Sequence, residues 1–397
     1  MAKGLFTQGM CVLLRSPVSA EAVIDALDGF TLVGRHENDG DEDVSVTLVF
    51  DYRPEVNGHL LVTLSGATWP DELGDPDETP ERFIAWSLGQ YGPLAFPGCL
   101  QRAGEQSWAW EDAASQVDRH RGHIRFLVSY VIGPHGTDDP VRPDETSDPE
   151  TKSEGDGDAD IDPNDPSLMP ADYNPIDELR YTTKAVESVL QLPEALCYFN
   201  PAGEVLRDGD GLRRGLNHAW SHELVPIDMW TNVRLFRADE TWSLMDTVGN
   251  GQFDTPDVEA VFSSKRFEPS EVEGFLRSAS LYMLTGDDPV EDGDTADGPG
   301  EISWRAIICA DGLSDPPRQT VRWIPEDGDD PPERFLDPGD DRSEDDDEDT
   351  QVGGDDEPGD EAEEFIDNAF DEELDEIFGD DDPRTGESET DDDTNAF

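Results

Sequence analysis

The sequence predicts an α+β protein with two mixed α/β-sheet domains, an acidic linker between them and an acidic C-terminal tail. Three observations predict it. Strand-like runs with period two and helix-like runs with period 3.6 are interspersed, without the strict strand–helix–strand alternation of a doubly wound sheet. Apolar residues almost vanish over 138–172 and again from 326 onward, apart from one short stretch. The chain has 397 residues, enough for two or three domains.

Residues 1–137 read as the first domain. GMCVLL (9–14) is a strand, and Ser19 can cap a helix that turns Val23, Ile24, Leu27 and Phe30 inward. Val44 to Asp51 alternates with β-branched residues and reads as a strand. Asn57-Gly58 is a hairpin signal, and HLLVTLS (59–65) is the return strand. Glu81 to Leu88 and Trp108 to Val117 are helical candidates, and IRFLVSYVI (124–132) is a buried strand. Residues 138–172 combine Asp, Pro, Gly, Ser and Thr and read as a disordered linker.

Residues 173–325 read as the second domain. Asn174-Pro175 opens a helix with Ile176, Leu179, Val186, Val189 and Leu190 on one face. Asp210 can cap a helix carrying Leu212, Leu216 and Trp220. Strands are expected at 233–236, 242–248, 258–262, 302–309 and 320–324, with Asn250-Gly251 as a turn. Ser270 and Glu273 form a capping box for a helix that Gly286 stops. Residues 326–397 are low-complexity acid, broken only by an amphipathic helical pattern at about 361–378. Phe365, Ile366, Ala369, Phe370, Leu374, Ile377 and Phe378 fall on one broad face of that pattern.

Charge narrows the function classes. Asp and Glu number 95 against 27 Lys and Arg, for a net −68. Of this, −32 falls in 326–397 and −11 in 138–172, so the remaining 290 residues still carry −25. Lys occurs only four times. Such a surface repels phosphates and anionic lipid, which argues against nucleic-acid and membrane partners. It stays hydrated where salt screens repulsion almost completely, the signature expected of a halophilic cytoplasm. The start of the chain lacks the apolar core of a signal peptide. Cys11, Cys99, Cys197 and Cys309 are about a hundred residues apart and mostly in apolar runs, which reads as buried thiols in a reducing compartment. The expected location is therefore cytoplasmic.

Several blocks of sequence resemble one family. They are MAKGLFTQGMCVLL (1–14), YRPEVNGHLLV (52–62), FIAWSLGQYGPLAFPG (83–98), LPEALCYFNPAGEVL (192–206), NVRLF (232–236), WSLMDTVGNGQFDTPDVEAVF (242–262) and DGPGEISW (297–304). Together they resemble the uncharacterised bacterial family known as domain of unknown function 4261. The resemblance spans roughly 1–135 and 173–325 and implies two related α+β regions. It implies no activity. Related domains suggest an immunity-like or other protein-binding role.

Candidate chemistry is sparse. His218 and His222 stand at i and i+4 on an expected helix, a spacing that can hold a metal. The sequence HAWSHE lacks the glutamate that a metalloprotease places between them, and a surface pair is the simpler reading. Cys99, His120 or His123, and Asp112 can be drawn as a nucleophile set, though no fixed spacing supports it. Asp156, Asp158 and Asp160 mimic the start of a calcium loop but lack its later ligands, and Asp292, Asp294 and Asp297 form a similar acidic loop. Gly249-Asn250-Gly251 matches no nucleotide-binding pattern and reads as a tight turn. Trp108 and Trp110 would point to one face if extended, as core or as the wall of a pocket. No cofactor is expected.

The function expected is a protein-binding or regulatory module. The tail side chains Phe365, Ile366, Phe370, Leu374, Ile377 and Phe378 would dock into a groove on a protein partner. The alternative is a hydrolase-like enzyme with its site between the two domains, marked by a pocket with buried titratable groups.

Overall fold

A computed structural model describes residues 4–39, 44–76, 79–134, 169–286, 289–328 and 331–336. The acidic loop at 156–160 and the tail pattern at 361–378 lie outside the described residues. The described residues belong to one compact unit. The fold is α+β, with seven helices and two sheets among the described residues.

Seven strands make the first sheet: β1 (Gln8–Leu14), β2 (Leu32–Asp39), β3 (Val44–Arg53), β4 (Gly58–Ser65), β5 (Gly122–Ser129), β6 (Ala195–Asn200) and β7 (Val205–Arg207). Their order is β2-β3-β4-β5-β1-β6-β7, and every pair is antiparallel. Asn57 joins β3 to β4 in the left-handed conformation, the role its Asn-Gly signal predicts. Both faces of this sheet are covered, so β1 is buried throughout and its residues 10–14 are all apolar rather than alternating. Met10, Val12 and Leu14 face the helices α1 (Ala20–Ala26), α5 (Pro175–Val189) and α6 (Gly209–Ser221). Cys11 and Leu13 face a cap built between β4 and β5 from α2 (Pro80–Ser87), α3 (Cys99–Glu105) and α4 (Ala113–Val117).

Division of the chain at 138–172 does not follow the sheets. Strand β1, from the first expected domain, pairs on one edge with β5 and on the other with β6, from the second. The reason is burial: Phe199 and Cys197 of β6 complete the cluster around Cys11 and Leu13, which β5 alone leaves open.

The second sheet has six strands: β8 (Asn232–Arg237), β9 (Trp242–Val248), β10 (Asp257–Ser263), β11 (Thr295–Gly298), β12 (Ile302–Cys309) and β13 (Thr320–Pro325). Their order is β11-β12-β13-β10-β9-β8, antiparallel except for the β10–β13 pair. Helix α7 (Pro269–Thr285) packs Val272, Phe275 and Leu276 on one face.

Capping departs from expectation at two helices. Asp208, not Asp210, caps α6 by accepting from the Gly211 amide at 2.6 Å, while Asp210 pairs with Arg213. Ser270 is not the cap of α7. The helix begins after Glu268 with Pro269 at its first position, and Glu273 pairs with Arg277 instead of bonding backward. Ser19 and Asn174 cap α1 and α5 as expected.

Candidate functional site

Four adjacent strands of the second sheet each place one charged residue on the same buried row. Arg234 on β8 lies opposite Asp246 on β9, Asp246 opposite Glu259 on β10, and Glu259 beside Arg322 on β13. Arg234 meets Asp246 as a fork, with Nε to Oδ1 at 3.0 Å and Nη2 to Oδ2 at 2.7 Å. Its Nη1 donates to Glu204 Oε2 at 3.0 Å, and Glu204 also accepts from Arg102 at 2.7 Å. Arg322 donates to Glu259 at 2.6 Å. Arg318 joins Asp246 to Asp257, with Nε 3.3 Å from Asp257 Oδ2. Four guanidinium groups thus face four carboxylates.

Like charges at Asp246 and Glu259 sit on neighbouring strands, which alone would be unfavourable. Arginines on both sides remove the conflict. Burial opposes the Asp246 charge, yet Arg234 and Arg318 hold its carboxyl below the usual range. At Glu204 and Asp257 burial wins, and both carboxyls sit above the usual range despite their arginines.

Two members of the network, Asp257 and Arg318, line a cleft of about 170 Å³. Its walls come from the loop after α2 (Leu94, Phe96), the β6–β7 hairpin (Ala202), the β9–β10 connection (Val248 to Asp257) and the segment before β13 (Pro316 to Gln319). Close backbone approach shapes its base. A Cβ on Gly203 would lie 1.8 Å from the Trp230 carbonyl oxygen, so only glycine fits there. Gln252 fastens the same point, donating to the carbonyls of Trp230 and Gly249 and accepting from Asn200.

The charged side chains of the cleft are already engaged. Asp257 Oδ1 accepts from Thr247 Oγ1 at 2.8 Å and the Asn250 amide at 3.0 Å, and Oδ2 faces the Gly249 amide and Arg318. Arg318 donates to the carbonyls of Thr247, Ser314 and Pro316 and to Asp246. What remains for a ligand is mostly apolar, from Leu94, Phe96, Val248, Pro316 and Pro317, with exposed Gln319 beside them.

One residue of the cleft is strained. Leu94 has φ 62°, in the left-handed region that costs a bulky side chain free energy, whereas Asp254 at φ 61° ends the turn after Phe253 in a conformation that aspartate tolerates. Gly92, Gly98 and Gly249 around them also have positive φ.

The residues singled out from sequence fall elsewhere. His218 lies in the last turn of α6 and His222 caps its end. Their rings stand 4.5 Å apart and are exposed. His222 Nδ1 bonds the His218 carbonyl, and among the described residues no group of three His, Cys, Asp or Glu could hold a metal. Trp220, expected inward, is half-exposed. The Cys99 set does not assemble as a nucleophile and base. Burial, with Asp71 beside it, pushes the Cys99 thiol well above its usual range. His120 is spoken for on both nitrogens, Nδ1 by the Val117 carbonyl and Nε2 by the Trp69 amide. His123 donates to the Ala67 carbonyl, and burial together with Arg125 lowers its pKa to about 3, so it is neutral. Asp292 accepts from the Ile308 amide of β12, and Asp294 closes a turn by accepting from the Glu291 amide. Trp108 is 70% exposed while Trp110 packs into the cap, so the two rings do not share a face. All four cysteines are buried, as expected. Phe365, Ile366, Phe370, Leu374, Ile377 and Phe378 lie outside the described residues.

The charged row and the cleft escaped the sequence reading. A signal existed: VRL, MDT, VEA and VRW each set one charge in the middle of an apolar strand. A charge at that position of several strands calls for opposite charges across the sheet.

No helix among the described residues is long and apolar enough to cross a membrane. Neither a curated protein nor a solved structure matches the chain. Residues 246–324 match the model of a family described as a domain of unknown function, DUF4261. They include the blocks from Met245's neighbour Asp246 to Phe262 and from Asp297 to Trp304, while the other family-like blocks lie outside the match. The chain therefore resembles the DUF4261 family through the segment that runs from Asp246 to Ile324 and supplies most of the cleft's lining.

Proposed function

We propose that this chain is a cytoplasmic protein-binding or regulatory module, of an immunity-like kind, adapted to a salt-filled cell. The observation that carries the reading is the cleft. Its walls are mostly apolar, Leu94 is held in a left-handed conformation, and its ionisable side chains Asp257 and Arg318 are paired with each other. Such a site is fitted to hold a group rather than to transform one. Asp257, the buried carboxylate at the cleft, has bonded neighbours at both oxygens, so it braces the β9–β10 turn and is not poised as a general base. The acidic surface supports the salt-adapted cytoplasm, and the apolar positions Phe365 to Phe378 supply a second docking element on the tail.

Affinity capture at native salt tests this with three baits: the full chain, residues 1–341, and the full chain carrying Phe96→Ala. A stoichiometric partner lost from 1–341 alone assigns docking to the tail. One lost from Phe96→Ala alone assigns it to the cleft. Recovery of no partner by any bait refutes the binding reading and favours the hydrolase-like alternative.

A further inference from the structure

We propose that the cleft receives one large apolar side chain borne on a cationic segment of a partner polypeptide. This rests on the binding reading above and names the chemistry of its occupant. The volume fixes the size. An apolar cavity of about 150 Å³ takes a benzene-sized group, and this cleft measures about 170 Å³. One aromatic ring or branched aliphatic chain fills it.

The walls fix the polarity of that group. Leu94, Phe96, Pro316, Pro317 and Val248 offer carbon surface. Arg318, the guanidinium at the cleft, is spent on Asp246, Asp257 and backbone carbonyls, so it has no call for an anionic ligand. Phe96 is 37% exposed on the rim, where a large apolar side chain is left to water until something covers it.

The rim fixes the charge of the flanking residues. Exposed Asp254 and Asp315 sit next in sequence to the lining residues Thr255 and Pro316. Beyond them the 290 residues outside 138–172 and 326–397 carry −25. An acidic segment would be repelled, and a basic one drawn in and oriented. Gln252 bonded to the Trp230 and Gly249 carbonyls, and Asp257 bonded to the Asn250 amide, hold the β9–β10 wall in place before anything binds, so little ordering cost falls there.

Three dye-labelled pentapeptides test the proposal by fluorescence anisotropy with the full chain. They are Arg-Gly-Phe-Gly-Arg, Arg-Gly-Ala-Gly-Arg and Glu-Gly-Phe-Gly-Glu. The first is expected to bind, and the alanine peptide to bind about ten- to a hundredfold more weakly, the worth of one buried phenyl group. The glutamate peptide is expected to bind detectably less, with the difference shrinking as KCl rises. Phe96→Ala, a change at an exposed position that leaves the core packing intact, is expected to weaken the first peptide and leave the melting temperature unchanged. Equal binding of the arginine and glutamate peptides, equal binding of the phenylalanine and alanine peptides, undiminished binding by Phe96→Ala, or no binding at all would each overturn the proposal. A partner that the capture experiment assigns to the cleft would, in any of those cases, leave the binding reading standing without this occupant.

Discussion

Arg234 serves two buried carboxylates at once, Asp246 through a two-bond fork and Glu204 through its remaining nitrogen. Removing a partner from such a set leaves charge in the interior uncompensated, which costs far more than the pair contributes. Arg234→Met is expected to lower stability by about 3–5 kcal/mol in urea titration. Arg234→Lys should lose a good part of this too, because an ammonium cannot form the fork. Gly203 faces a different constraint. Gly203→Ala would press a methyl group into the Trp230 carbonyl and is expected to cost about 3 kcal/mol or more, again in urea. His123 gives a pH signature. Its pKa of about 3 in the fold lies below the ordinary 6.5, so between those values the unfolded chain binds the proton and the fold does not. Stability from this residue is full above pH 6.5 and is lost progressively as pH falls toward 3. His123→Asn is expected to flatten that part of the wild-type stability profile, and an unchanged slope would refute the assignment.

Among elements, the helix caps are the simplest to check. Asn174 accepts from the amides of Ile176 and Asp177 at the start of α5. Asn174→Ala is expected to cost about 1 kcal/mol, read from the chemical denaturation midpoint. The same cap shows what could be read from sequence. Asn-Pro before a periodic apolar face, Asn-Gly between alternating runs, and Ser19 ahead of Val23 are local signals that depend on a few neighbouring residues, and the structure honours each. Strand β7, strand β11 and helix α3 escaped because they are short and take their stability from what they pack against. The charged row escaped for a related reason. Arg234, Asp246, Glu259 and Arg322 are separated by up to 88 positions in the chain, and only the strand register brings them into line. The cleft needed still more, since its walls come from four separate segments.

At the scale of the molecule, two consequences can be measured. Acidic side chains crowd a surface nearly without lysine, so self-repulsion opposes the compact state until salt screens it. The melting temperature is expected to rise with KCl. A gain of about 2 kcal/mol would raise it by about 3 °C for a unit of roughly 300 residues, and equal values in dilute and concentrated KCl would contradict the salt-adapted reading. The first sheet gives the other. Residues 1–137 expressed alone would leave β1 without β6 on its outer edge, and Cys11 and Leu13 without Phe199. That fragment is expected to aggregate, and co-expression with 169–341 to restore a soluble complex. A monomeric, cooperatively folding 1–137 would show that the first expected domain stands alone after all.

The place of β6 in that sheet also sets a clock on synthesis. Strands β1 to β5 are complete once Ser129 has left the ribosome, but the partner of β1 arrives only with residues 195–200. At 5–20 residues per second, the nascent chain waits roughly 3–14 s with one strand edge bare. The intervening acidic stretch is translated during that wait. Shortening the stretch would shorten the delay, and neutralising it would leave the delay unchanged.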